Sequence, residues 1–164
     1  EIPLCDWSSD VCSSDLLYSN PFGSADFLPL PLVEQLAIPW MERDLAPGGT
    51  AGVVYYCGSA RMNPVIDLVR RRTGISAWYL GPEDDIAEGQ RIIGGTGLCA
   101  GVINDLKLVD WSPARVRDEV RRMLAAGVPA GRFMFGTVLM PLAIPEANIR
   151  AMLDAAREFG GGAG

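Results

Sequence analysis

Residues Arg132 to Gly160, RFMFGTVLMPLAIPEANIRAMLDAAREFG, set the strongest constraint on how this chain folds. Phe133-Met134-Phe135 is a short apolar run ending at Gly136-Thr137, and Val138 to Ile144 reads as a loop. Pro145 opens a helix, because a missing N–H costs nothing there and its φ is already helical. Ile149, Met152, Leu153, Ala156 and Phe159 recur at the helical period and predict one buried face. Gly160 stands where a left-handed C-cap is cheap. Strand, long loop at the strand's C-terminal end, covering helix: this is the repeating unit of parallel α/β folds, which carry their chemistry at such loops.

The same unit recurs upstream. Ala51 to Tyr56 is an unbroken apolar and aromatic run, as a strand buried on both faces reads. Cys57-Gly58-Ser59 follows as a loop. Asn63 is the predicted cap of a helix with Pro64 near its start, and Met62, Val65, Ile66 and Val69 share one side. Arg70-Arg71-Arg72 closes it as a solvated C-terminus that complements the negative end of the helix. Ile75 to Leu80 predicts the next strand, ending at Gly81-Pro82-Glu83-Asp84-Asp85, with Ile86 to Ile93 helical after it. That acidic triplet reads either as a helix N-terminus, where carboxylates are favoured, or as charged groups at the mouth of the sheet.

Leu98 to Ile103 predicts a further strand, delivering Asn104-Asp105 to the same end, with Lys107 following. Ser112-Pro113 starts a helix that points Val116, Val120, Met123 and Leu124 inward. It places Arg115 with Glu119 and Asp118 with Arg122 outward as i,i+4 pairs, and Gly127 ends it. Ahead of these units, Leu17 to Pro31 reads as a loop. Leu32, Val33, Leu36 and Trp40 then mark a helical face that Pro39 kinks or ends.

Glu1 to Leu16 fits none of this. It repeats Ser-Ser-Asp, has no hydrophobic period, and lacks the basic-then-apolar order of a secretory signal. CDWSSDVCSSDL resembles the translation of a sequencing-library adapter, and residues 1–16 are read as foreign. They hold Glu1, Asp6, Asp10 and Asp15 and no base, so without them the formal charge of −6 shrinks towards balance. A near-neutral chain has no electrostatic footprint for nucleic acid or an anionic membrane. No run reaches the roughly 20 apolar residues of a membrane span. Cys57 and Cys99 alone are too few for a disulfide framework, which fits a reducing cytoplasm. Residues 17–160 are expected to form one α/β domain, followed by a glycine-rich tail at 161–164. A complete (β/α)8 barrel takes about 250 residues. This chain has room for about four βα units, a partial barrel whose open strand edges favour association.

The strand–loop–Pro-Glu-x-Asn-Ile order resembles the last βα unit of the uroporphyrinogen decarboxylase (URO-D) superfamily. Val53-Val54-Tyr55-Tyr56-Cys57-Gly58 is similar to that family's strand ending in His-x-Cys-Gly. Asn20-Pro21-Phe22-Gly23-Ser24-Ala25-Asp26-Phe27 resembles its loop before a helix ending near Pro39-Trp40. Gly101-Val102-Ile103-Asn104-Asp105 resembles its Gly-Asn-x-Asp turn. The superfamily holds cofactor-free decarboxylases and zinc- and corrinoid-dependent methyltransferases, so the resemblance implies the C-terminal half of a (β/α)8 barrel, with the fragment alone inactive.

The departures narrow the activity. Zinc-dependent members hold their metal with one His and two Cys. Here Cys57 matches one Cys, Tyr55 fills the His position, the loop from Gly136 to Leu139 has no Cys, and the chain contains no His. Cys99 lies inside a strand. Zinc is therefore not expected, and Cys57 is the one candidate metal ligand, or else a small buried hydrophobe. The decarboxylases grip substrate carboxylates with an N-terminal Arg-rich loop and carry a His in the last βα loop; Thr137-Val138-Leu139-Met140-Pro141 lacks it.

The resemblance that remains is to methyltransferases that work with a corrinoid-binding partner protein on a small-molecule methyl donor, as in O-demethylation. Such a reaction needs a general acid, for which Glu83, Asp84 and Asp105 are the candidates. Asn20, Asp26, Tyr55, Asn104 and Met140 are the candidate substrate-binding residues; Asn20 and Asp26 read equally as turn residues. Met140, Pro141, Leu142 and Ile144 form an apolar wall to the site or pack the core. The alternatives are a porphyrinogen decarboxylase and a catalytically inactive barrel that binds a ligand or partner.

Overall fold

The computed structural model describes residues 16–137 and 139–161, so the adapter-like stretch up to residue 15 and most of the glycine tail lie outside the described residues. Five strands, β1 (Leu16–Ser19), β2 (Val53–Tyr56), β3 (Ala77–Leu80), β4 (Leu98–Val102) and β5 (Phe133–Gly136), form one sheet in sequence order. All neighbours pair in parallel. Between and after them run α1 (Leu30–Leu32), α2 (Ile38–Leu45), α3 (Asn63–Thr73), α4 (Ile86–Ile93), α5 (Pro113–Gly127) and α6 (Glu146–Phe159). Parallel neighbours joined by right-handed crossovers place every connecting helix on one face of the sheet. The result is a run of consecutive βα units, an α/β sheet of partial-barrel form.

The first strand was not legible as one. Leu17 stands in β1, not in a loop, and Tyr18 aligns with Tyr55 of β2. The sheet therefore has five strands where about four units were expected. In the helical stretch that follows, the inward residues are Val33, Ala37, Ile38, Met41 and Leu45; Leu32, Leu36 and Trp40, expected to pack, are exposed. A π-helical turn over Val33–Ala37 precedes α2. It fits Pro39, which has no N–H for the carbonyl one turn back and whose ring crowds it.

Elsewhere the expected faces pack with local shifts. Met62, Val65, Ile66 and Val69 are buried, as are Val116, Val120, Met123 and Leu124. On α5 the outward ion pairs are Asp118–Arg121 and Glu119–Arg122 at i,i+3, rather than the i,i+4 partners. The arginine triplet is less free than expected: Arg72 grips Glu42 of α2, and Arg70 donates to the Ile93 carbonyl at the end of α4. On α6 the buried residues are Asn148, Met152 and Ala155, while Leu153 is exposed. The Asn148 amide donates to the Leu108 and Trp111 carbonyls at 2.8 and 2.7 Å, fastening α6 to the loop after β4. Gly160 keeps a right-handed φ of −71°, and the left-handed turn falls on Gly161 instead.

The two faces of the sheet differ. Tyr55 and Trp78 meet edge to face under the helix layer, and both are fully buried. Tyr56 and Tyr79, one residue further along the same strands, meet edge to face on the opposite side and are half-buried. β2 is thus covered by helices on one face only, not on both.

Candidate functional site

The C-terminal ends of the five strands gather most of the polar residues that the sequence singled out. The first group lies where β1 and β2 end. The Asn20 carbonyl accepts from the Tyr55 hydroxyl at 3.1 Å and lies 2.9 Å from Cys57 Sγ, which is 3.2 Å from the Tyr55 hydroxyl. The Asn20 side chain itself accepts from the Phe22 N–H and shapes the turn. Tyr55 therefore points under the helices, not into an open site. Burial pushes the Tyr55 phenol and the Cys57 thiol up from their ordinary values. Among the described residues no three His, Cys, Asp or Glu side chains cluster to hold a metal.

Asp26 stands beside this group, on the loop after β1. Its carboxylate takes the Arg61 guanidinium at 2.7 and 2.9 Å and the Arg61 backbone N–H at 2.7 Å. Those bonds hold Asp26 below the usual carboxylate range. A cleft of about 490 Å³ opens next to them, with Ser19, Asp26, Phe27, Tyr56, Cys57 and Ser59 on its walls.

Glu83 and Asp84 part company although they are adjacent. Glu83 receives Lys107 at 2.8 Å and the Asn104 amide at 3.3 Å, and the Lys107 bond holds its carboxyl below the usual range. Asn104 also accepts the Lys107 backbone N–H. Asp84 turns inward, and its two oxygens accept the N–H groups of Met62, Asn63 and Gly81 at 2.7, 3.0 and 2.8 Å. It, rather than Asn63, caps the start of α3. The Asn63 amide instead donates to the Asp85 carbonyl. Burial pushes the Asp84 carboxyl up against the pull of those three bonds. Gly81 is required by the same junction, since a Cβ there would collide with the Ala60 carbonyl.

Asp105 accepts the Leu106 N–H at 2.9 Å. Burial and then the negative charge of Asp105 raise the Tyr56 phenol. Beyond β5, Met140 is half-exposed and Leu142 fully exposed, while Ile144 alone of the apolar wall is buried. Met140 does not pack the core.

The structure thus brings together Asn20, Tyr55 and Cys57, and separately Glu83 and Asn104, with Asp105 near Tyr56. Arg61, Tyr56 and the Lys107–Glu83 pair were not singled out in the sequence. Tyr56 was detectable, because in a strand with one covered face the neighbour of an inward Tyr55 must point out.

The family description uroporphyrinogen decarboxylase (URO-D) matches residues 16–159. No curated protein sequence matches the chain. A solved methyltransferase from Methanosarcina mazei superposes with a TM-score of 0.67 at 18% identity, over 91% of this chain and 45% of that one. The chain spans less than half the length of that structure, and the likeness is one of fold. Among the described residues no helix is long and apolar enough to cross a membrane.

Proposed function

From the chain's membership of the uroporphyrinogen decarboxylase (URO-D) family over residues 16–159, we propose that it forms part of the barrel of a methyltransferase, one that passes a methyl group from a small donor to a corrinoid held by a partner protein. The corrinoid supplies the methyl acceptor. This chain's residues hold the donor at the strand ends and meet its leaving oxygen or nitrogen, with Asp105 in that role. Glu83 is already bound to Lys107 and Asp84 to three backbone N–H groups, so neither carboxylate is open to the donor.

One observation carries the choice over decarboxylation. The loop after β5, through Thr137, Leu139, Met140 and Pro141, has no His where the decarboxylases carry one. Among the described residues the cations at this part of the mouth, Arg61 and Lys107, are each already bound to a carboxylate, Asp26 and Glu83.

The test offers the purified chain added cob(I)alamin with methyl ethers and N-methyl compounds, and separately a porphyrinogen without metal or corrinoid. Methylation of the cobalamin, followed by its absorbance, supports the reading. Carbon dioxide release from the porphyrinogen overturns it. Absence of both reactions matches the inactivity expected of this part-barrel on its own, and retention of a methyl ether but not of a porphyrinogen, read by calorimetry, then supports the methyl-transfer reading.

A further inference from the structure

Tyr56 and Tyr79 form a corner. Their rings lie 5.9 Å apart at an interplanar angle of 78°, on the face of the sheet away from the helices. Leu17 and Thr137 complete a small cavity of about 100 Å³ between them. Neither tyrosine hydroxyl is given to another described residue, whereas those of Tyr18 and Tyr55 are bonded to Asp44 and Asn20. Outside the cavity lining, the carboxylate of Asp105 lies close enough for its charge to act on Tyr56; it accepts the Leu106 N–H and makes no ion pair among the described residues.

Two rings at right angles do not sandwich a flat ligand, which needs parallel faces. They present aromatic surface from two directions, as suits a compact cation, since the negative face of a π system attracts positive charge. The charge pattern agrees: among the described residues Arg61 and Lys107 are paired while Asp105 makes no ion pair, so a small cation is attracted and an anion repelled.

We propose that the corner of Tyr56 and Tyr79, with Asp105 as counter-charge, is a binding site for a small methylated ammonium ion. The inference rests on the methyl-transfer reading only for its purpose: a methylated nitrogen would then be the donor, and Asp105 would face that nitrogen.

Tetramethylammonium is the probe, and neutral tert-butyl alcohol, of similar shape, is the control. Binding to the full chain is read by calorimetry and by the upfield ring-current shift of the probe's methyl resonance. The expected result is that the cation binds and the alcohol does not. Tyr56→Leu and Tyr79→Leu should each weaken binding about three- to thirtyfold, the range of a cation–π contact. Tyr56→Phe, which keeps the ring, should hold most of the affinity, and Asp105→Asn should weaken it. Equal binding of the alcohol, absence of the upfield shift, or unchanged affinity in folded leucine variants overturns the proposal. If a leucine variant does not fold, the ring-current shift in the wild-type chain decides. Binding of tetramethylammonium together with carbon dioxide release from a porphyrinogen leaves this site standing and removes the methyltransferase reading. Methyl transfer from ethers with no binding of the cation does the reverse.

Discussion

Tyr55 and Tyr56 are neighbours in β2, yet they live in different surroundings. Tyr55 is sealed under α2 with Met41, Trp78 and the Asn20 carbonyl, and its phenol is pushed up by burial. Tyr56 looks out over the bare face of the sheet, against Tyr79 and close to Asp105. The alternation continues beyond the strands. Asp84 turns inward to hold the start of α3, while Glu83 stays at the mouth with Lys107. One face of this sheet packs against the helices, and the other, with the strand ends, stays partly exposed among the described residues.

The sharpest way to break that contrast is to truncate one aromatic on each side of β3. Trp78 is fully buried against Tyr55. Trp78→Ala should cost about 3–5 kcal/mol through lost transfer energy and the cavity left behind. Tyr79→Ala, on the open face, should stay within about 1 kcal/mol. Denaturant unfolding measures both. Equal losses would mean that the open face is covered in solution and that the two faces do not divide as described.

The order of elements was legible because apolar runs, punctuating glycines and prolines, and helical spacing recur along the chain. What periodicity shows is that a face exists; it does not say what covers it. The stripe of Leu32, Leu36 and Trp40 has the right spacing and is exposed, while the turn beside it is buried through Val33, Ala37 and Ile38. β1 was missed because four residues beside Asn-Pro carry too little pattern, and its evidence is the partner strand rather than its own composition. Asn148 was missed because a buried amide declares itself only through its acceptors, Leu108 and Trp111, some forty positions away. Of the candidate site, the strand-end positions were legible. Which carboxylate is free was not, because Arg61, Lys107 and the N–H groups of Met62 and Asn63 reach theirs from other loops.

The adjacent acids test the contrast at its next level. Asp84→Ala should remove the acceptor of three N–H groups and destabilise by about 3 kcal/mol, since a buried donor left unpaired costs about 1–3 kcal/mol. Glu83→Gln should cost less than about 1 kcal/mol, because its bond to Lys107 is solvated on both sides. Thermal melts of the two variants rank them. A larger loss from Glu83→Gln would place the structural anchor at the mouth instead of under the helices.

The smallest effect is the most diagnostic, because it differs in sign. Glu83 is held below its ordinary value by Lys107, so folding favours its charged form. The stability it contributes is present above the ordinary carboxylate range and is lost as pH falls through that range. Asp84 is pushed above its ordinary value by burial, so folding favours its protonated form. Its contribution is full below the ordinary carboxylate range and is lost as pH rises through its raised value. The stability of the wild type relative to Glu83→Gln should therefore shrink on acidification, while that relative to Asp84→Asn should grow. Urea midpoints taken from neutral pH down to the onset of acid unfolding give both differences. Two slopes of the same sign would show that neighbouring carboxylates share one environment, and the division between an anchoring side and a binding side would not extend to the loops.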